Sequence, residues 1–280
     1  MMAKSHIEWT ERVWNPLTGC TRIGQGCVHC YAERMSQRLQ AMGRPEYQGI
    51  VDDKGHWTSK INLLSDRLED PLHWKKPSRI FVNSMSDLFH KDVPQSFINQ
   101  VVTVMSNAPQ HIFQILTKRY DRPFLALYPQ DASPHIWIGF SICNQDDAEK
   151  ARTYLRFVSE MGWHTWVSYE PATENVIWKG FEFIEWLVCG GESGPGARPM
   201  HPDWARSARD WCKQNQIPFY FKQWGEYAPI CVNHPDQPGV RYLLHLDKTP
   251  VMPRMGKKAA GRLLDGEQWD EYPASMSKER

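Results

Sequence analysis

The sequence predicts an α/β protein, a full or partial (β/α) barrel with a mainly parallel sheet. Three observations carry that expectation. Short apolar runs of strand length alternate with segments of helical period from residue 79 to residue 222. The connections are long enough for the crossover helices that parallel strands need. A chain of 280 residues with 41% hydrophobic and 23% charged side chains can also build one large core. A doubly wound open sheet shares all three features and is the rival reading, because sequence alone does not decide whether the sheet closes.

The elements follow in order. A first unit covers residues 6–42. Arg79–Asn83 (RIFVN) reads as a buried strand, and Pro94–Asn107 as a helix with Phe97, Val101, Val104 and Met105 on one face. His111–Leu116 is the next strand and Arg119–Leu127 the next helix. His135–Phe140 precedes a helix over Gln145–Met161. His164–Tyr169 and Glu182–Cys189 are further strands. Pro202–Asn215 is a helix whose first turn Asp203 favours, and Ile217–Lys222 closes the series. Residues 1–225 are thus expected to form a barrel-like domain, with a cysteine loop at 20–30 and an insertion at 43–77 holding one short helix near Ser65–His73. Residues 226–280, rich in Pro, Gly and charge, are expected to be a loosely structured extension packed on or covering the barrel.

The net charge of +1 neither demands nor excludes a nucleic-acid partner. No apolar run approaches the roughly 20 residues of a membrane span, and the first residues, MMAKSHIEWTERVW, lack the apolar stretch of a signal peptide. A cytoplasmic protein with no membrane partner is expected.

Seven cysteines cannot all pair. Cys143, Cys189, Cys212 and Cys231 are scattered and read as small core residues. Cys20, Cys27 and Cys30 fall within eleven residues, spaced C-x6-C-x2-C, which in a reducing compartment reads as metal ligation or redox chemistry. Gly19, Gly24 and Gly26 let the loop curl. The segment from Glu33 is helical, so the third thiolate sits at a helix start and gains from the positive end of its dipole. A structural zinc site takes four ligands. Three cysteines on a cubane iron–sulfur cluster leave one iron free to chelate a small molecule, the arrangement that radical S-adenosylmethionine enzymes use. Zinc closed by His29 or a distant histidine fits the same cysteines. A thiol redox pair made of Cys27 and Cys30 is a third reading, and it gives Cys20 no role.

The segments WNPLTGC (14–20), GCVHCYAER (26–34), FVNSMSDLFH (81–90), ILTKR (115–119), SYEP (168–171), CGGESGPGARPMHPDW (189–204) and FKQWGE (221–226) resemble the phage and prophage three-cysteine-motif proteins. That family has no assigned function and is distantly similar to radical S-adenosylmethionine enzymes. The resemblance spans about three-quarters of the chain. It implies a radical-SAM-like fold, a [4Fe-4S] cluster on Cys20, Cys27 and Cys30, S-adenosyl-L-methionine as cofactor, and a 5'-deoxyadenosyl radical as the product of its cleavage. It also implies a reductant protein such as flavodoxin or ferredoxin, and a phage-associated substrate, with nucleic acid or a nucleotide as the guess. The alternative is a non-catalytic nucleic-acid-binding protein of phage origin, stabilised by zinc or an iron–sulfur centre.

Most of these segments end predicted strands, which is the active rim of a β/α barrel. Asp87 stands in for the cofactor-ammonium ligand of radical S-adenosylmethionine enzymes, or caps a helix. Lys118 and Arg119 could pair with a carboxylate or phosphate. Ser141 and Asn144 could reach ribose hydroxyls, although turn chemistry explains them nearly as well. Glu170 is a candidate ligand contact or half of an ion pair. Gly190 and Gly191 allow close backbone approach, with Glu192 as the polar group beside them. Arg198, Lys222 and Trp224 are substrate candidates, and Gln223 lies with them. Trp57, Trp74 or Trp224 could stack a base, while Trp137 and Trp186 read as core. No catalytic residue is assigned.

Overall fold

Side chains along a strand point alternately to opposite faces, and in this chain that alternation builds two cores. The computed structural model describes residues 7–232, 241–245 and 247–276. Seven strands, β1 (Arg12–Trp14), β2 (Arg79–Val82), β3 (Ile112–Thr117), β4 (Ile136–Ser141), β5 (His164–Tyr169), β6 (Trp186–Gly190) and β7 (Phe219–Gln223), form one sheet in chain order. Every neighbouring pair is parallel. Between them run α1 (Tyr31–Ala41), α2 (Gln95–Ser106), α3 (Asp121–Ala126), α4 (Gln145–Glu160) and α5 (Pro202–Gln214).

One set of strand residues, among them Ile80, Val82, Phe113, Ile115, Ile138 and Phe140, packs with the apolar faces of α2, α4 and α5. The alternate set, Phe81, Trp137, Trp166, Trp186, Val188 and Tyr220, makes the second core on the other face. Trp137 and Trp186 are therefore core residues, as their strand positions predict. Cys189 and Cys212 are buried as expected, while the side chain of Cys231 lies outside the described residues.

The fold is a partial barrel. Among the described residues, no pairing joins β1 to β7. Residues 269–271 cover the free edge of β7: Phe221 N–H donates to the Trp269 carbonyl at 2.9 Å, and Glu271 N–H to the Phe219 carbonyl at 3.2 Å. Unpaired edge groups are thereby satisfied. Trp9 enters the second core, its ring 4.9 Å from Phe81 and 5.2 Å from Trp166. Tyr220 Oη donates to the Glu8 carbonyl at 3.0 Å and anchors the same segment. Leu264 and Met276 are also fully buried, so the later residues contribute to both cores.

Three elements differ from their sequence patterns, and a fourth, α5, forms as expected with a cap of its own. The strand expected from Glu182 starts at Trp186, because Phe181 and Ile184 turn into the outer core and Glu185 pairs with the His164 ring at 2.7 Å. The expected helix at Ser65–His73 is two 3-10 turns, Ser65–Arg67 and Asp70–His73, since Pro71 supplies no N–H to continue the first. The helix expected over Arg119–Leu127 is only α3, because Arg119 is drawn into the site described below. At α5, His201 is the cap: its Nδ1 accepts from Asp203 N–H at 3.1 Å, with Pro202 as the first helical residue. No helix of the described residues is long and apolar enough to cross a membrane.

The indole of Trp166 lies over Gly139, where an added Cβ would stand 2.3 Å from the ring. Gly139→Ala is expected to cost about 1–3 kcal/mol through overpacking. A urea midpoint equal to the parent's would contradict it.

Candidate functional site

The cysteine loop connects β1 to α1 and lies over the C-terminal ends of the strands. Cys20, Cys27 and Cys30 all line one cavity of about 260 Å³ there. Four sets of contacts hold the loop down. The Arg119 guanidinium donates to Asp87 at 2.8 Å and to Thr21 Oγ1 at 2.7 Å, and stands 3.9 Å from the Cys20 sulfur. Thr21 Oγ1 also meets the His90 ring at 3.0 Å. Arg22 pairs with the buried Glu33 of α1, which in turn accepts from Trp57 N–H at 2.9 Å. Arg198 donates to the Gln25 carbonyl at 3.0 Å. Gly26 is required by close approach: a Cβ there would meet the Cys143 sulfur at 2.3 Å and Lys118 Cε at 2.9 Å.

Around the sulfurs, burial disfavours the thiolate form while nearby cations favour it. Burial pushes the Cys20 thiol up to about 12; Asp87 adds to the rise and Arg119 offsets part of it. Burial raises Cys30 too, against partial relief from the N–H groups of Glu33 and Ala32 at the start of α1. Each of these two thiols therefore gives up its proton less readily than a free cysteine does. Burial opposes the charge on Lys118, but Cys143, Cys27, Cys30 and Asp87 around it outweigh that and raise its pKa. Two cations thus stand among the sulfurs, Lys118 by Cys27 and Cys30, Arg119 by Cys20. Among the described residues, no group of three or more His, Cys, Asp or Glu side chains is arranged to hold a single metal ion.

The rim residues predicted from sequence are paired with one another. Asp87 accepts from Thr117 Oγ1 at 2.8 Å, Phe89 N–H at 3.0 Å and Arg119 at 2.8 Å, so its carboxylate is already engaged. Lys118 Nζ donates to Ser141 Oγ at 2.6 Å, which donates onward to the Glu170 carbonyl at 2.9 Å. The Glu170 carboxylate pairs with Lys222 at 3.0 Å. Glu192 takes two bonds from the Arg198 guanidinium, both at 2.8 Å, and one from the Arg198 N–H at 2.9 Å. Asp87, Lys118, Arg119, Ser141, Glu170, Gly191, Glu192 and Lys222 all line the cavity.

Other predicted residues lie elsewhere. Asn144 caps α4, its Oδ1 accepting from Asp147 N–H at 2.8 Å, and it is absent from the cavity wall, as turn chemistry anticipated. Trp224 is core: it packs on Phe221 with rings 5.0 Å apart and donates from Nε1 to the Leu263 carbonyl at 2.9 Å, so it presents no face for stacking. Gly190 lies behind Glu170, whose Oε1 would be 2.6 Å from an added Cβ. Arg198 acts on the loop and on Glu192 rather than on the wall. Trp74 packs against Arg12 and His111 away from the cavity, whereas Trp57 lines it. Sequence reasoning missed Asn83, a buried residue of the cavity wall, and set Cys143 aside as core. Cys143 is buried, yet it abuts the loop at Gly26, with its thiol directed to the Glu170 carbonyl at 3.7 Å. Only the position of Asn83 at the end of a predicted strand could have drawn attention to it.

Acid is expected to destabilise the fold, at this site through His90 and Glu192 and away from it through His111. Burial lowers the pKa of His90, and burial lowers that of His111. Glu192 is also held below its usual range: burial pushes it up, but the Arg198 bonds outweigh burial. In each case the unfolded chain takes up a proton before the folded one does. Stability is therefore full near neutrality and is lost as pH falls below 6.5 for the histidines and below 4.5 for Glu192. Urea midpoints measured across that range should fall; a constant midpoint would contradict the pairing.

A family model described as protein of unknown function (DUF5131) matches residues 4–273. The chain belongs to that family. No curated protein matches this DUF5131 protein in sequence. Among solved structures, a spore photoproduct lyase with one cysteine replaced by serine overlaps it at a TM-score of 0.45 and 12% identity, covering 88% of this chain and 72% of that one. A double mutant of spore photoproduct lyase with bound AdoMet and dinucleoside spore photoproduct overlaps at 0.41 and 13%, covering 68% and 58%. The lyase complexed with dinucleoside spore photoproduct gives 0.42 and 11%, covering 87% and 71%. These overlaps are too loose to equate any residue of the DUF5131 protein with one of theirs.

Proposed function

We propose that this protein is a radical S-adenosylmethionine enzyme whose [4Fe-4S] cluster is held by Cys20, Cys27 and Cys30. The observation that carries the reading is the convergence of three cysteines, with two cations among them, on one cavity at the strand ends of a partial barrel. The donor set fits. A tetrahedral zinc site would need its thiolates, each about 2.3 Å from the metal, gathered around one point, and the described side chains offer no such grouping. A cubane instead gives each thiolate its own iron. When bound, the cluster would supply the electron for reductive cleavage of S-adenosyl-L-methionine.

The chain's own residues would do the rest. Lys118 and Arg119 would balance the negative charge of the thiolates. Ser141, Glu170, Gly191 and Glu192 would border the cofactor, with Gly190 giving Glu170 room and Asp87 acting through Arg119. Asn144, spent as a cap, would support that wall from behind. Lys222 and Arg198 would orient a substrate's anionic groups only by exchanging their present partners, and Trp224 would support β7. The substrate we favour is a nucleotide or nucleic acid, and the electron donor a flavodoxin or ferredoxin. Residues 1–225 would be the catalytic domain, with 226–280 its covering extension.

Anaerobic reconstitution tests the reading. About four irons with matching sulfide per chain, and 5'-deoxyadenosine released on reduction with S-adenosyl-L-methionine, are expected. One zinc and no iron would favour the non-catalytic binding protein, and full iron without cofactor cleavage would remove the catalytic claim.

A further inference from the structure

Buried polar groups in folded proteins have partners, and each exception asks for an explanation. Three side chains of the cavity wall carry such exceptions. Asn83, directly after β2, is 3% exposed, and neither its Oδ1 nor its Nδ2 has a hydrogen-bond partner. Gln223, at the end of β7 and 5% exposed, spends Nε2 on the Gly191 carbonyl at 3.0 Å and leaves Oε1 alone. Trp9, 2% exposed, has no partner for Nε1. All three line the same cavity as the cysteines, where Phe81 and Leu116 add apolar wall. Asn83 holds a φ of 65°, a left-handed conformation that asparagine tolerates better than most residues. Its backbone N–H is fixed to the Trp14 carbonyl at 2.8 Å.

The chemistry of these atoms narrows the ligand. An ammonium group would satisfy only the Asn83 oxygen, and a carboxylate or phosphate only its NH2. A flat neutral ring with a donor and an acceptor side by side satisfies both, which is how asparagine pairs with an adenine edge. The aromatic and aliphatic wall suits the ring faces, and the Gln223 oxygen and Trp9 N–H offer one further acceptor and one further donor.

We propose that Asn83, assisted by Gln223 and Trp9, forms a nucleobase-recognition pocket beneath the cysteine loop. The inference rests on the reading above for the presence of a nucleoside in this cavity. The base would belong either to the S-adenosyl-L-methionine cofactor or to a nucleotide substrate.

The test uses the full chain after anaerobic reconstitution, with tryptophan fluorescence quenching as the binding readout. The probes are S-adenosyl-L-methionine, 5'-deoxyadenosine, and the nucleosides adenosine, guanosine, cytidine and thymidine. Asn83→Gly removes the amide and suits the positive φ; Trp9→Phe removes one N–H and keeps an aromatic ring. Asn83→Gly is expected to weaken binding about ten-fold or more, and Trp9→Phe by less, with iron and sulfide per chain as in the parent. Losses confined to S-adenosyl-L-methionine and 5'-deoxyadenosine place the cofactor's adenine in the pocket. Losses confined to a nucleoside, with cofactor affinity intact, place a substrate base there. If both variants bind every probe as the parent does, or if a cluster-loaded parent binds no nucleoside, the proposal is overturned. A parent that takes up no iron yet binds a nucleoside through Asn83 would end the cluster reading and leave the pocket standing.

Discussion

Cys27→Ala protein is expected to leave anaerobic reconstitution with less than about one iron per chain, against about four in the parent, and to release no 5'-deoxyadenosine. The reason is geometric. Cys27 sits on the short turn Gln25–Cys27 and is only partly buried, so the fold should not depend on it. A cluster held by three thiolates, in contrast, loses an anchor that no other described cysteine of the cavity wall can replace. The metal-free variant and parent should melt within about 3 °C of each other, as partly exposed substitutions usually do. Cys143→Ala provides the contrast. Its sulfur abuts Gly26 but is turned to the Glu170 carbonyl, so this variant should keep its iron. Full iron in Cys27→Ala, or loss in Cys143→Ala alone, would sink the assignment of ligands.

Asp87→Ala is expected to be the most damaging single change to the fold itself. Asp87 and Arg119 are both largely buried, 8% and 10% exposed at their side chains, and 2.8 Å apart. Removing the carboxylate strands the guanidinium and frees the donors on Thr117 and Phe89. Breaking a buried pair in this way costs about 3–5 kcal/mol, which lowers the melting temperature by about 10 °C in a domain of this size. Removing both charges should be less harmful than the sum of the single changes, because no uncompensated charge remains. Strictly additive single and double variants would show that the two groups do not depend on each other. Iron uptake should fall with the single variant as well, since Arg119 ties Thr21 and approaches Cys20.

Both changes act on residues that the sequence singled out, and for Asp87 the fold supplies a partner that the sequence does not show. From sequence, Asp87 reads as a cofactor ligand; in the fold it is the counter-ion that positions Arg119 under the cysteine loop. Glu170 with Lys222, and Glu192 with Arg198, show the same pattern. Sequence separation hides such partners: Glu170 and Lys222 come from the ends of β5 and β7, with β6 between them. Asn144 and Trp224 were drawn to the rim by their neighbours in sequence, but one residue along a strand or turn exchanges the cavity for a cap or a core. Trp224 shows this beside Gln223, which does line the cavity.

The chain's hydrophobic rhythm by itself determined the parallel α/β architecture, because periods of two and of about 3.6 are local properties of strand and helix. The spacing of Cys20, Cys27 and Cys30 likewise marked the candidate site, since a glycine-rich loop with three cysteines is a local pattern too. Only the tertiary structure decided that the barrel stays open, with residues 269–271 on its edge and Trp9 in its second core. It alone also decided which rim charges neutralise one another, and that the amide of Asn83 is buried without a partner. Those outcomes depend on packing between segments far apart in the chain, and no local pattern encodes where distant side chains meet.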